Sequence, residues 1–279
     1  MNLNMDGSRL HEIISAPIKN LLQLQWIKEV KWMNSRACTN EAYVPTPVEH
    51  VANVVTHGIW VVPSLIAALE LINRSTTWTQ LVSASVYGTA LLLVFTVSTF
   101  FHSVHYCNHN KPLKDVLHRC DRAMIYVFIA ATYFPWLNAK DFPDNFLLPI
   151  MRYLVWIMAT LGILYQQVFH ERYKMLETVF YLVMGVGPSI AIVNVSEFNV
   201  IAELKVGGLI YVLGLIFFKS DGRIPCAHAI WHIFVATAAS FHYYAILYHL
   251  YPEITEIKQD ATASNIPPLP NLLKSHLEL

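Results

Sequence analysis

The sequence predicts an all-α fold, a bundle of seven membrane-spanning helices, and three observations lead to it. Of its 279 residues 55% are hydrophobic and only 14% charged, whereas a soluble domain carries about 25% charged residues. Mean hydropathy is positive, +0.41. Finally, apolar stretches bounded by charges repeatedly approach the ~20 residues needed to cross ~30 Å of hydrocarbon, which a larger soluble core would not require.

Charged residues mark the spans in order. The first apolar run is Val51 to Leu69, entered after Glu49 and closed by Glu70. The second, Leu81 to Ser103, holds no Asp, Glu, Lys or Arg. The third lies between Arg122 and Lys140, the fourth between Arg152 and Glu171, and Glu177 and Glu197 bracket the fifth. The sixth, Val206 to Phe218, is short and must borrow Val200 to Leu204 to reach across. The seventh, Ile224 to Tyr251, is long enough to tilt or to project from the bilayer. Pro63, Pro135 and Pro188 fall inside spans, where neighbouring helices can satisfy the carbonyls that proline leaves free.

Loop charges set the expected orientation. Thirteen of the 19 Lys and Arg residues fall on the side of the N-terminus and six on the other. Basic loops stay in the cytosol, so the N-terminus is expected there and the C-terminus, after an odd number of spans, outside or in a lumen. This gives an N-terminal arm over 1–45, a transmembrane domain over 46–252 and a disordered tail over 253–279 that contains Pro267, Pro268 and Pro270. Within the arm, Leu10 to Met33 mixes apolar and basic positions, which fits a solvated segment or an amphipathic helix on the membrane face. The start of the chain lacks an apolar stretch with a small-residue cleavage site, so no cleaved signal peptide is expected. Cys38, Cys107, Cys120 and Cys226 form no CxxC pair and suggest no disulfide framework. A net charge of zero gives no sign of a nucleic-acid partner.

Ionisable groups within spans are costly and point to function. Ser98 and His102 stand four residues apart near the end of span two, Asp121 opens span three, and His228 and His232, again four apart, open span seven. Residues at i and i+4 share a helix face. The end of span two and the starts of spans three and seven must lie on one membrane side, the cytosolic one by the charge count. Three imidazoles and a carboxylate are therefore expected to converge. Three His ligands with a fourth position for water suit zinc better than magnesium or calcium. In such a site His102, His228 and His232 bind Zn2+, Asp121 reaches it through water or orients a histidine, and Ser98 hydrogen-bonds that water. His105 is an alternative to His102, and His118 stands one turn before Asp121. Cys120 and Cys226 flank the set, more in the manner of small core residues than of ligands. Glu49, Asn53 and His57 form a second polar stripe, readable as an interhelical seam or as support for the metal site. His170, His242 and His249 read as packed or hydrogen-bonded residues.

At these positions the chain resembles the progestin and adipoQ receptor family with its bacterial hemolysin III relatives. That family combines Glu-x3-Asn-x3-His, Ser-x3-His, an Asp opening span three, and His-x3-His, and all four stand here in order across about residues 45 to 250. Asp221–His232 and His242–Ile246 look most like its monocyte-to-macrophage differentiation factor branch. The resemblance implies an adiponectin-receptor-like bundle, inverted relative to G-protein-coupled receptors, with zinc on His102, His228 and His232 and water-contacting roles for Asp121 and Ser98. It further implies a receptor-like or signalling protein of endomembranes (Golgi, late endosome or lysosome) in contact with membrane lipids and cytosolic signalling proteins. Related alkaline ceramidases imply an alternative, a zinc-dependent hydrolase of a lipid amide such as ceramide, with a free fatty acid as product or ligand.

Overall fold

The computed structural model describes residues 30–38, 40–107, 110–139, 146–193 and 198–252. The expected tail and most of the expected N-terminal arm lie outside the described residues. Helices account for the regular structure among the described residues: α1 (Pro47–Gly58), α2 (Val61–Arg74), α3 (Trp78–Cys107), α4 (Lys111–Asn138), α5 (Leu147–Val168), α6 (Lys174–Val186), α7 (Ser189–Val193), α8 (Phe198–Phe218) and α9 (Ala227–Leu250). They form seven rods, because α1 with α2, and α6 with α7, are single spans interrupted once. Five rods are long and apolar enough to cross a membrane: Pro47–Arg74, Trp78–Cys107, Leu147–Val168, Lys174–Ile192 and Ala227–Leu250. The remaining two, α4 and α8, have 28 and 21 residues and pack in the same bundle.

Local chemistry explains the ends and breaks. Thr46 and Glu49 close a capping box on α1: Thr46 N–H donates to Glu49 Oε2 at 2.8 Å, and Glu49 N–H donates to Thr46 Oγ1 at 3.3 Å. The first rod breaks at Ile59 and Trp60 because Pro63 has no N–H to return to the Ile59 carbonyl. Pro188 interrupts the fifth rod in the same way between α6 and α7. Asn110 caps α4 by accepting from Leu113 N–H at 3.2 Å, with Pro112 in the first turn. The sixth rod does borrow the turn before Val206. The cost of its acid is met by His249 on α9, whose Nε2 lies 2.9 Å from Glu203 Oε2.

Each rod packs on the next in chain order, α8 lies along α9, and α9 returns to α1, so the bundle closes on itself. α4 also reaches α9 across the interior. At Gly88 on α3 an added Cβ would stand 2.7 Å from the Ala68 Cβ on α2, so the two helices meet through small residues. Tyr87, Tyr126, Trp136, Met184 and Ile246 fill the core. Val51, Val55, Ile59, Val62, Ile66 and Leu69 point outward from the first rod. In water that stripe would be an aggregation hazard, but hydrocarbon is its natural surrounding.

The end of α3 and the starts of α4 and α9 lie at one end of this bundle, as the span order requires. Residues 30–38 and 40–45 lie across the same end. Tyr43 O–H donates to the Glu49 carboxylate at 2.9 Å, and Asn34 Nδ2 donates to the Val44 carbonyl at 2.8 Å. Beneath it, in the turn from α8 to α9, Gly222 has φ +71, and a Cβ there would lie 2.5 Å from Arg36 Cα. Gly222→Ala is therefore expected to cost about 1–3 kcal/mol through backbone strain and displacement of the crossing segment. Gly208→Ala, where nothing stands within 4 Å of the added carbon, serves as control. Thermal unfolding in detergent should show a clear loss for the first variant and little change for the second.

Candidate metal centre and internal cavity

His102, on the last turns of α3, and His228 and His232, on the first turns of α9, bring one ligand-capable atom each to within 4.8 Å of one another. Ring centroids lie 5.1 Å apart for His102 with His228, 5.1 Å for His102 with His232, and 4.7 Å for His228 with His232. His102 and His232 are buried, and His228 is partly exposed. Thr56 on α1 spends its hydroxyl proton on the Ala52 carbonyl at 2.7 Å, so its oxygen accepts from His232 Nδ1–H at 3.1 Å. That bond fixes the tautomer and leaves the His232 Nε2 lone pair free. His228 Nδ1 faces Asp221 Oδ2 at 3.7 Å, which orients that ring in the same sense. His102 Nε2 is buried with no hydrogen-bond partner among the described residues. Unshared imidazole lone pairs in a dry interior carry a desolvation cost that a bound cation removes, so these residues fit a zinc ion.

The cluster forms one end of a cavity of about 1240 Å³. Ser98 and Asp121 line that end beside the three histidines, so the sequence-predicted set faces a single space. Asn53 and His57 line it too. The His57 ring stacks on His232 with centroids 3.6 Å apart and planes at 16°. Glu49 lines the cavity as well, but its carboxylate is committed to the α1 cap and to Tyr43. His105 packs on His50 with centroids 5.0 Å apart and lies outside the ligand cluster. Cys120 is exposed and Cys226 half-buried at the N-terminus of α9, and neither joins the cluster. Away from the histidine cluster the walls are mostly apolar, including Phe128, Trp136, Leu182 and Val235, with Tyr211, His242 and Lys205 among them.

A second polar cluster escaped the sequence reading. His118, His170 and Glu171 also bring ligand-capable atoms within 4.8 Å of one another. Their lone pairs, however, are already engaged. Arg122 Nε–H donates to His118 Nε2 at 3.2 Å, His118 Nδ1 lies 3.2 Å from His170 Nε2, and His170 Nδ1 lies 3.1 Å from the Gln166 amide. Glu171 pairs with Arg122 at 2.6 Å and Lys174 at 2.5 Å, and Arg122 also holds Glu177 at 2.8 Å. Two cations on one carboxylate oppose a third, so this cluster ties α4 to the α5–α6 turn rather than holding metal. Burial pushes the Glu171 carboxyl up, but Arg122 and Lys174 outweigh it and the net direction is down. Burial, reinforced by Arg122, draws His170 down to about 4. The network joins residues on three helices and a turn, and its links between helices, such as His118 with His170 and Arg122 with Glu177, carry no short-range signal.

A family model described as "Haemolysin-III related" matches residues 46–243. Human "Monocyte to macrophage differentiation factor" is 44% identical over 227 residues, covering 81% of this chain and 94% of that protein. The "Hemolysin-3 homolog" of Bacillus subtilis (strain 168) is 35% identical over 212 residues, covering 72% and 94%. "Hemolysin-3" of Bacillus cereus is 32% identical over 213 residues, covering 73% and 93%.

The Arg122 network sets two expectations. Arg122→Gln leaves two buried carboxylates short of a partner and should cost about 3–5 kcal/mol in chemical unfolding. The depressed Glu171 adds stability above the ordinary carboxylate range, and this is lost as pH falls through its folded value. His170 acts in the same sense as pH falls from 6.5 to about 4. His170→Gln should therefore flatten the loss of thermal stability across that window, relative to the wild-type profile.

Proposed function

The chain belongs to the haemolysin-III-related family of integral membrane proteins, and from that premise we propose that it is a zinc-binding, receptor-like signalling protein of endomembranes whose cavity takes a membrane lipid. The observation that carries this reading is the convergence of His102, His228 and His232 on the wall of a largely apolar cavity. His102 on α3 and His228 and His232 on α9 would hold the ion and so join these two rods, with Asp121 on α4 lining the same space. The rods are thereby clamped at one end, and a lipid in the cavity contacts the same rods along their length. Occupancy of the cavity thus biases the arrangement of the helix ends that meet cytosolic signalling partners. The resemblance supports Golgi and late endosomal or lysosomal membranes as the location, and the charge count supports a cytosolic N-terminus.

A second reading is favoured by one observation: Asp121 and Ser98 line the cavity at the histidine end, where the reacting bond of a lipid amide would lie. In that reading the chain is a ceramidase-like hydrolase. Bound zinc would polarise the amide carbonyl and acidify a water molecule. Asp121 takes the proton from that water, Ser98 orients it, and the apolar walls hold the acyl chain and exclude bulk solvent.

Metal analysis of the purified protein is expected to give one zinc per chain, and His228→Ala or His102→Ala should reduce it at least tenfold. His102→Ala should also lower the unfolding temperature, while Asp121→Asn should keep most of the metal. Zinc-replete wild type that leaves ceramide intact supports the receptor-like reading. Turnover that Asp121→Asn abolishes without loss of zinc supports the hydrolase. Protein that folds with no zinc, or that holds it equally well without His102 and His228, contradicts both.

A further inference from the structure

Away from the histidine cluster the cavity wall carries two polar groups that neither functional reading uses. Tyr211 on α8 and His242 on α9 both line it, and their rings stack with centroids 5.6 Å apart and planes at 23°. The Tyr211 hydroxyl and His242 Nδ1 are each buried with no hydrogen-bond partner among the described residues. Packing holds the imidazole in place. A Cβ added at Gly207 on α8 would lie 2.8 Å from His242 Nε2 and 2.9 Å from its Cδ2, so the ring keeps that edge against α8 and turns Nδ1 away from it. Neighbouring hydroxyls on the wall are already engaged. Thr132 donates to the Phe128 carbonyl at 2.8 Å, Ser189 to the Val186 carbonyl at 2.6 Å, and Tyr133 to the Gly185 carbonyl. Lys205 is an exposed residue that reaches the outside of the bundle. The Tyr87, Tyr126 and Tyr165 hydroxyls also lack partners among the described residues, but they do not line the cavity.

Depth gives this pair a meaning. His242 follows His232 by ten residues on α9, about 15 Å of helix at 1.5 Å per residue. That is half of the ~30 Å hydrocarbon thickness, so the pair stands beside the tail of a lipid whose head lies at the histidine cluster. A buried hydroxyl and a buried ring nitrogen without partners each carry a desolvation cost. A plain hydrocarbon tail excludes water from them and leaves that cost in place. A tail with an oxygen at this depth removes it, because a phenol both donates and accepts and a neutral imidazole offers one donor and one acceptor. Such a wall discriminates by whether the chain carries an oxygen and by where along the chain it lies.

We propose that Tyr211 and His242 form a hydrogen-bonding subsite that selects a lipid whose chain carries a hydroxyl or carbonyl oxygen far from its head group. This rests on the reading of the cavity as a lipid site and deepens it: the histidine end receives the head, whatever its charge, and the pair reads the tail. The subsite also gives a task to His242, which packs as the sequence suggests yet keeps one nitrogen without a partner.

The test is equilibrium displacement of a fluorescent lipid from full-length, zinc-loaded protein in uncharged maltoside micelles. Competitors are the stearoyl, 2-hydroxystearoyl and 12-hydroxystearoyl chains, each as the free acid and as the 1-monoglyceride. The two hydroxylated isomers have the same composition, so their difference reports the position of the oxygen rather than polarity. Wild type is expected to bind the 12-hydroxy chain at least tenfold more tightly than the 2-hydroxy or plain chain, in whichever head series binds. Tyr211→Phe and His242→Leu should each reduce that preference to less than threefold while leaving the plain chain within threefold of wild type. His242→Asn, which keeps a hydrogen-bonding atom near the Nδ1 position, should retain part of the preference. Because the Tyr211 hydroxyl has no partner to lose, Tyr211→Phe should keep its zinc and an unfolding temperature at or above wild type. This variant carries the test alone should His242→Leu fail to fold. A clear fall in unfolding temperature in Tyr211→Phe, with all chains weakened alike, gives the hydroxyl a structural role and overturns the inference. Equal binding of the three chains by wild type, or a preference that survives in both variants, overturns it and leaves the lipid reading standing. Absence of saturable lipid binding to wild type overturns the lipid reading and this inference together.

Discussion

Three histidines meet inside this bundle, one of them with a buried nitrogen, His102 Nε2, that no donor among the described residues satisfies, and much of the architecture follows from that constraint. An unshared acceptor in a dry interior costs free energy, and the sequence places His228 and His232 beside this one. Thr56 turns the His232 ring so that its free nitrogen faces the cluster rather than α1. Asp221 does the equivalent for His228 from the turn before α9. Partners on the Nδ1 side of both rings leave each Nε2 free to face a cation, unlike a ring nitrogen that already accepts a hydrogen bond.

Contrast with the neighbouring His118–His170–Glu171 group makes the point sharper. Both groups offer three ligand-capable atoms at similar spacing. One is bounded by Thr56, His57 and Asp221, with no Lys or Arg paired to it, the other by Arg122 and Lys174. The cations settle the matter: a carboxylate already bridged by guanidinium and ammonium has no attraction left for a metal, and a histidine accepting from Arg122 has spent its lone pair. The second group serves instead to anchor the α5–α6 turn, where Glu171 is held at φ 62.

The sequence made the bundle legible because hydrocarbon thickness imposes a run length that charges punctuate. Four-residue spacing put Ser98 with His102 and His228 with His232, and span parity put both pairs and Asp121 at one end. These are short-range or topological signals. The contribution of Thr56 was hidden, because a threonine within an apolar helix has no distinctive pattern, and its role depends on how α1 meets α9. The pairing of Glu203 with His249 and the link from Arg122 to Glu177 were hidden for the same reason, being contacts across 46 and 55 residues. Pro63 was visible, yet its effect, a break at Ile59 and Trp60 rather than a bend, depends on the packing of both half-helices on α3.

Zinc K-edge X-ray absorption on purified full-length protein tests the central claim most directly, because it reads the atoms bound to the metal. The account predicts a first shell of nitrogen and oxygen at about 2.0–2.1 Å with the multiple scattering of about three imidazoles, reduced by one ring in His232→Ala. Sulfur scattering at about 2.3 Å, as from Cys120 or Cys226, or a spectrum unchanged in His232→Ala, would contradict it.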